Sequence, residues 1–410
     1  MDTLLSPSPL NMEAMNERTR EYLRGRFGDY YRRSGIDGPP AANEREWGHI
    51  PFTPGAGTTM VRHQSWIDIA GGGSLSDFLA REQPRHVYFS AGRYRDPGAG
   101  RMSEKGWRAA DLVFDLDADH LPSVDPDATS YADMLAACKD ALCDLLDFLE
   151  DDFGFAAHDT EIVFSGGRGY HVHIRTDGVL DLGRDQRDEI VEYVRGPDIE
   201  FEDVVRTESV EGIGLKNPTQ KRTLPTDGGW SARVHRQLMT LVDEVRDLSE
   251  DEALDRLRQF PGVGEGKASA IRRAALDNHD ELAAGNIDVH PAVVSLAKQL
   301  FERVLETDAA PIDEPVTTDI NRLIRLPRSI HGGTGLVVTP IDRDDLADFD
   351  PLADAVPEQF RGHEVAIEVT DPGSGEFGGE AFTIQEGESH VEEALGVFLM
   401  ARGRAEKVAE

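Results

Sequence analysis

Residues 111–120 read Asp-Leu-Val-Phe-Asp-Leu-Asp-Ala-Asp-His. Apolar Leu112, Phe114 and Leu116 alternate with Val113, Asp115 and Asp117, the two-residue period of a β-strand. One face of such a strand joins a core, while the other presents Asp115 and Asp117 together. Two carboxylates so placed repel each other unless a cation sits between them. Hard oxygen donors of this type suit Mg²⁺ or Mn²⁺. An EF-hand loop does not fit, because His120 stands in place of the turn glycine and Pro126 in place of the bidentate glutamate.

Downstream, residues 164–173 read Phe-Ser-Gly-Gly-Arg-Gly-Tyr-His-Val-His. A strand at Ile162–Phe164 and another at Tyr170–Ile174 are predicted around the glycine turn. Closely spaced glycines let backbone N–H groups turn toward an anion. Ser165 adds a hydroxyl, and Arg168 a bidentate phosphate partner. Alternation puts Tyr170, Val172 and Ile174 inward, and His171 and His173 on the side of the site. No Gly-Lys-Ser/Thr follows, so this is not a Walker loop. A plain hairpin turn with surface histidines would read the same way.

The third segment, residues 311–333, carries Asp313, Asp319, Arg322, Arg325, Arg328 and His331. Asp313 is a candidate third carboxylate, and Arg325 and His331 are candidate phosphate contacts. Residues 317–339 read as β pattern, with three arginines against one acid.

Around these segments the chain shows a helix at Met12–Arg33, strand-like character from Trp47 to Ile69, and a short helix at Leu75–Arg81. A strand is predicted at His86–Ser90. An amphipathic helix is predicted over Tyr131–Asp152, with Leu135, Cys138, Leu142, Leu145, Leu146 and Leu149 on one face. Short helices are expected across Ser231–Ala284, a helix from His290 to about Leu305, and a closing helix over His390–Arg402. This mixture of hairpins and helices points to an α+β catalytic core with mixed or antiparallel sheet. We expect residues 1–195 and 290–410 to form that discontinuous core, and residues 196–289 a loop-rich helical insertion.

The composition sets the context. The chain has 410 residues, enough for two or three domain-sized units, and 39% are hydrophobic, enough for a core. Asp and Glu number 77 against 43 Lys and Arg, a formal charge of −34, and only seven of the basic residues are Lys. Such a surface repels itself in dilute buffer and becomes tolerable in molar salt, where the Debye length falls to about 3 Å. This is the pattern of an extreme halophile's protein. Two cysteines, Cys138 and Cys143, exclude a disulfide scaffold and fit a reducing cytoplasm. No stretch approaches the ~20 apolar residues of a membrane span, and no signal-peptide pattern opens the chain.

Taken in order and spacing, LVFDLDADH, FSGGRGYHVHI and IDEPVTTDINRLIRLPRSIHGGTGL resemble the catalytic small subunit of archaeal and eukaryotic DNA primases. The stretches Arg45–Trp47, Met60–Trp66 and Glu104–Trp107 add to the likeness, which runs from about Tyr22 to Val337 and is of archaeal, haloarchaeal type. The resemblance implies a nucleotidyltransferase that makes short RNA primers, or also DNA primers, on single-stranded DNA for replication. It implies two-metal catalysis with Mg²⁺ or Mn²⁺, nucleoside triphosphate substrates, and a heterodimer with a primase large subunit. By position, the metal-binding catalytic carboxylates fall on Asp115, Asp117 and Asp313. Asp313 is preferred to Asp319 because it lies eighteen residues before His331, the spacing that the resemblance implies for the third aspartate. Nucleotide binding falls on Ser165, Arg168, His171, Arg325, His331 and Arg62. Relatives often carry a zinc knuckle after the paired aspartates. Residues 122–130 hold no cysteine, and Cys138 and Cys143 lie on a predicted helix, so no structural zinc is expected. A repair or primer-extending polymerase of the same superfamily, and a non-catalytic nucleic-acid-binding subunit, are the competing readings.

Two further segments suit nucleic acid. Residues 215–236 carry Lys216, Lys221, Arg222, Arg233 and Arg236 against Asp227. Residues 260–271 (Phe-Pro-Gly-Val-Gly-Glu-Gly-Lys-Ala-Ser-Ala-Ile) resemble a helix-hairpin-helix, in which Gly262, Gly264 and Lys267 would meet a DNA phosphate without reading sequence. A helix pair joined by a glycine turn fits the same residues.

Overall fold

The computed structural model describes residues 15–52, 59–71, 73–126, 128–196, 199–210 and 219–409. The chain divides into two compact units, one of residues 1–143, 156–191 and 311–410, the other of residues 144–155 and 192–310.

Two antiparallel sheets organise the first unit, which is α+β. One is built on the long strand His86–Tyr94, flanked by Arg45–Ile50 and Leu323–Arg325. Val61–Gln64 pairs outside Arg45–Ile50, and Trp107–Ala110 pairs with the end of the long strand. The other sheet runs in the order Thr339–Ile341, Thr160–Phe164, Gly169–Ile174, Leu112–Asp117. Alternation decides its faces. Leu112, Phe114 and Leu116 are fully buried, and the helix beginning at Tyr131 covers them, with the Cys138 thiol donating to the Leu116 carbonyl at 3.6 Å. The opposite face meets the first sheet, where His173 stacks on Phe89 at 6.1 Å between ring centres.

Asp111 joins the sheets covalently and electrostatically, because it lies between Trp107–Ala110 and Leu112–Asp117. Both oxygens of its buried carboxylate accept from Arg45 Nη2, at 2.8 and 2.9 Å, with Arg93 at 3.1 Å and Arg175 at 2.7 Å. Arg187 donates to the carbonyls of Asp111 and Ala110, both at 2.9 Å. Buried charges on this scale persist only when paired and hydrogen-bonded.

Several elements differ from the sequence expectation. Residues 317–339 are mostly turn: Glu314–Thr318 is a helix begun by Pro315, and only Leu323–Arg325 and Thr339–Ile341 are strands. Pro327 and the glycines at 332, 333 and 335 break any longer ladder. The helix from Tyr131 ends at Asp147 and widens into a π turn over Phe148–Asp152. The closing helix is shorter, Glu393–Ala401, because Gly387–Glu392 pairs with Glu364–Val369 as a strand.

The second unit is largely helical. Gly229–Asp247, Glu250–Arg258, Glu265–Asp277 and Pro291–Asp308 bury apolar stripes including Leu238, Leu257, Ala268 and Leu296. A ribbon of Arg206–Val210 and Thr219–Thr223 completes it. Among the described residues no helix is long and apolar enough to cross a membrane.

Candidate active site

The strand Leu112–Asp117 and the hairpin around Ser165–Gly169 are neighbours in register. Asp115 lies opposite His171 and Asp117 opposite Gly169, so the carboxylates and the glycine turn share one edge of the sheet. His171 Nε2 stands 3.3 Å from Asp115 Oδ1. Asp313 arrives from far along the chain, and its N–H donates to the Asp115 carbonyl at 2.8 Å. The three carboxylate positions expected from sequence are thus brought together.

Their electrostatics differ. Burial would raise the Asp115 carboxyl, but His171 beside it, aided by Arg325 and Arg322, holds it below the ordinary carboxylate range. Asp313 is pushed up, first by burial and then by the charges of Asp115 and Asp117, against the pull of His120 and Arg322. Such a cluster gains from a bound cation. Among the described residues no three His, Cys, Asp or Glu side chains are gathered into a ready-made metal cage. Asp115 faces His171, and Asp117 Oδ1 faces Arg168 Nε at 3.7 Å. The all-oxygen donor set and the raised Asp313 fit a hard divalent ion.

The glycine turn is shaped by close packing. A side chain at Gly169 would meet the Leu116 carbonyl at 1.8 Å, so only glycine lets the two strands approach. Gly166 has φ +74° and sits against His331. Ser165 Oγ accepts from the N–H groups of Gly167 and Gly169, each at 3.3 Å. Thr334 Oγ1 donates to the Gly166 carbonyl at 2.5 Å. His331 Nδ1 lies 3.1 Å from Thr334 Oγ1 and 3.3 Å from Gly333 N. Its Nε2 lies on the Gly167 side of the ring. Burial, with Arg325 nearby, holds His331 well below its usual pKa, so its ring is neutral.

Arg325 reaches the same loop, donating to the Ser165 carbonyl at 3.5 Å and to the Tyr88 hydroxyl at 3.4 Å. Its Nε has no partner among the described residues. Arg168 is held by Asp119 as well as Asp117. Ser165, Arg168, His171, Arg325 and His331 therefore surround one turn. Arg62 is held by a separate pairing: its Nε meets the buried Glu46 at 3.3 Å, and Lys105 meets the other Glu46 oxygen at 3.5 Å. Asp319 accepts from Asn321 N–H at 2.9 Å, a local turn contact.

Sequence reading gave no site role to Asp119, Arg322 or the buried Arg85–His86 pair. Arg85 donates to the Gly332 carbonyl at 3.2 Å, and His86 packs on His331 at 5.0 Å. A basic dipeptide entering a buried strand was the available signal. His173 is fully enclosed, and burial holds it neutral, so it does not face the site. Cys138 is buried and Cys143 is partly buried, and the two form no disulfide.

In the second unit, Gly264 caps the helix Glu265–Asp277, and Gly262 has φ +69°. Both glycines are exposed, while Phe260, Val263, Ala268 and Ile271 are buried beneath them. Lys267 Nζ donates to the Gly262 carbonyl at 3.0 Å. Lys221 is exposed, whereas Arg222 is engaged by Asp288 at 2.7 and 3.0 Å. Lys216 lies outside the described residues.

The family profile described as DNA primase small subunit matches residues 114–343. Among curated relatives, the DNA primase small subunit PriS of Natronomonas pharaonis is 62% identical over 397 residues, covering 97% of this chain and all of the relative. The protein of the same name from Haloarcula marismortui is 61% identical with the same coverage. That from Methanothrix thermoacetophila is 38% identical over 402 residues, covering 96% of this chain and all of the relative.

Proposed function

Because the chain belongs to the DNA primase small subunit family, we propose that it is the catalytic subunit that starts and extends short primers on single-stranded DNA. The reaction is nucleotidyl transfer: a 3′-hydroxyl attacks the α-phosphate of a nucleoside triphosphate in line, and pyrophosphate leaves. The observation that carries the proposal is the register of Asp115 against His171 and Asp117 against Gly169, which sets carboxylates beside a phosphate-shaped turn.

Asp115, Asp117 and Asp313 would hold divalent ions of the Mg²⁺ or Mn²⁺ class, which supply Lewis-acid neutralisation of the triphosphate when bound. His171 fixes the Asp115 carboxylate from across the strand pair. Arg168 and Arg325 offer guanidinium forks to the phosphates, and Ser165 and the neutral His331 offer hydrogen bonds. Arg62, held by Glu46, would contact the nucleotide. Catalysis is then positioning and electrostatics, with no covalent intermediate on the protein.

The exposed glycine hairpin at Gly262–Gly264, with Lys267, Lys221, Lys216 and Arg222, would bind the DNA backbone without reading bases. A primase large subunit completes the heterodimer, and the enzyme works in the cytoplasm beside its template. Its acidic coat makes metal ions and bidentate arginines, rather than diffuse basic charge, the main phosphate contacts, since high salt weakens the latter.

The test supplies circular single-stranded DNA, labelled ribonucleotides and either no primer or a preformed one, in molar KCl with Mn²⁺ or Mg²⁺. Short products on the unprimed template support the proposal. Extension of preformed primers alone would point to the repair-polymerase reading.

A further inference from the structure

The carbonyl of Gly167 is tied backward by the hydroxyl of Tyr131, the first residue of the helix Tyr131–Asp147. Tyr131 is fully buried. A peptide group is planar and trans, so its C=O and the following N–H point in opposite directions. Fixing the Gly167 carbonyl against Tyr131 therefore aims the Arg168 N–H away from the core. That N–H donates to no acceptor among the described residues. The adjoining peptide is fixed in the same manner, by Thr334 on the Gly166 carbonyl.

Tyr131 is in turn gripped from the end of the chain. The Arg402 guanidinium sits 4.3 Å from the Tyr131 ring centre and 5.4 Å from that of Phe398. Its Nε has no partner among the described residues. Burial pushes the Tyr131 phenol up to about 12, against the pull of Arg402 and Arg168. Residue 402 lies beyond the span matched by the family profile.

We propose that Tyr131 and Arg402 form a positioning pair that presents the Arg168 backbone N–H, together with its side chain, to the phosphates of an incoming nucleoside triphosphate. This rests on the nucleotide-site reading above. The pair acts through the loop and does not itself touch the reacting atoms. Its effect is confined to phosphate recognition, because the groups it orients are phosphate donors.

The test compares the full-length wild type with Tyr131→Phe, Arg402→Met and Arg402→Lys in molar KCl. Equilibrium binding of ATP, AMP and adenosine is measured by calorimetry, beside thermal midpoints and KM and kcat for primer extension. Tyr131→Phe keeps the ring on which Arg402 rests and deletes only the donor. It should weaken ATP binding about 5–10-fold, the scale of one lost hydrogen bond, weaken AMP binding no more than that, and leave adenosine unchanged. KM should rise by the same factor, with kcat changing less. Arg402→Met should follow, and Arg402→Lys should recover part of the loss. Unchanged ATP affinity in both Tyr131→Phe and Arg402→Met would overturn the proposal. So would equal losses for ATP and adenosine, or losses that merely track the thermal midpoint. Wild-type ATP affinity in Arg168→Ala would instead overturn the nucleotide-site reading, and the inference with it.

Discussion

The backbone N–H of Asp313 donates to the carbonyl of Asp115 at 2.8 Å, joining residues from two distant segments of the chain. This one bond sets the Asp313 side chain beside the paired aspartates. Asp319, six residues on, is instead committed to the turn it closes with Asn321.

Replacing Asp313 by Asn should therefore lower nucleotide incorporation by about a hundredfold or more. Asp319→Asn keeps the turn acceptor and should stay within about threefold of wild type, because it alters no phosphate or metal contact. Steady-state incorporation by the two purified variants decides between them, and the reverse ranking would move the third carboxylate to Asp319.

The buried Asp111 hub predicts an acid-sensitive fold. Burial alone would raise this carboxyl, but Arg45 and Arg175, bonded to it, outweigh that and hold it below the ordinary range. A depressed native pKa gives stability that is complete above the unfolded value, roughly 4, and lost as pH falls through the native value. Asp111→Asn should cost about 3–5 kcal/mol at neutral pH, by stranding buried guanidiniums, and should flatten the acid limb. Urea unfolding at pH 7 and pH 3 checks both.

Net charge of −34 predicts salt-dependent stability. Raising KCl from 0.1 to 2 M should raise the thermal midpoint steadily, as the Debye length falls from about 10 Å to below about 3 Å. A flat midpoint over that range would contradict the halophilic reading.

The glycine hairpin of the second unit predicts a different salt effect. Lys267→Glu and Lys221→Glu should each weaken single-stranded DNA binding similarly across sequences. Each should also reduce the log–log salt slope by about 0.7, the loss of one phosphate contact. Arg222→Gln, whose parent is occupied by Asp288, should change the slope less than either. Fluorescence anisotropy at several KCl concentrations separates these outcomes.

The residues most legible in the sequence were those governed by local rules. Alternation along 112–117 placed Leu112, Phe114 and Leu116 in the core and Asp115 and Asp117 at its margin, as found. The same rule put His171 and His173 on one face. It could not show that Phe89 of the other sheet covers His173 but leaves His171 at the edge. The β pattern read across 317–339 failed because the short strand Leu323–Arg325 pairs with Tyr88–Ser90, far upstream, and Thr339 only begins another, while prolines and glycines shape the rest. The strands at Gly373–Phe377 and Glu380–Ile384 escaped notice because only Phe377 and Ile384 among their residues are buried, leaving little alternation. Tyr131, Arg402 and the Gly167 carbonyl meet only after folding, and no spacing rule links them.

The central claim is that Asp115 and Asp117 carry primer synthesis. The most direct test measures incorporation of labelled ribonucleotides on unprimed single-stranded DNA, with Mn²⁺ or Mg²⁺ in molar KCl. Wild type is compared with Asp115→Ala and Asp117→Ala, each checked for an unchanged circular dichroism spectrum. Product from the wild type and none from either folded variant is the predicted result. Wild-type levels of product from either variant would contradict it.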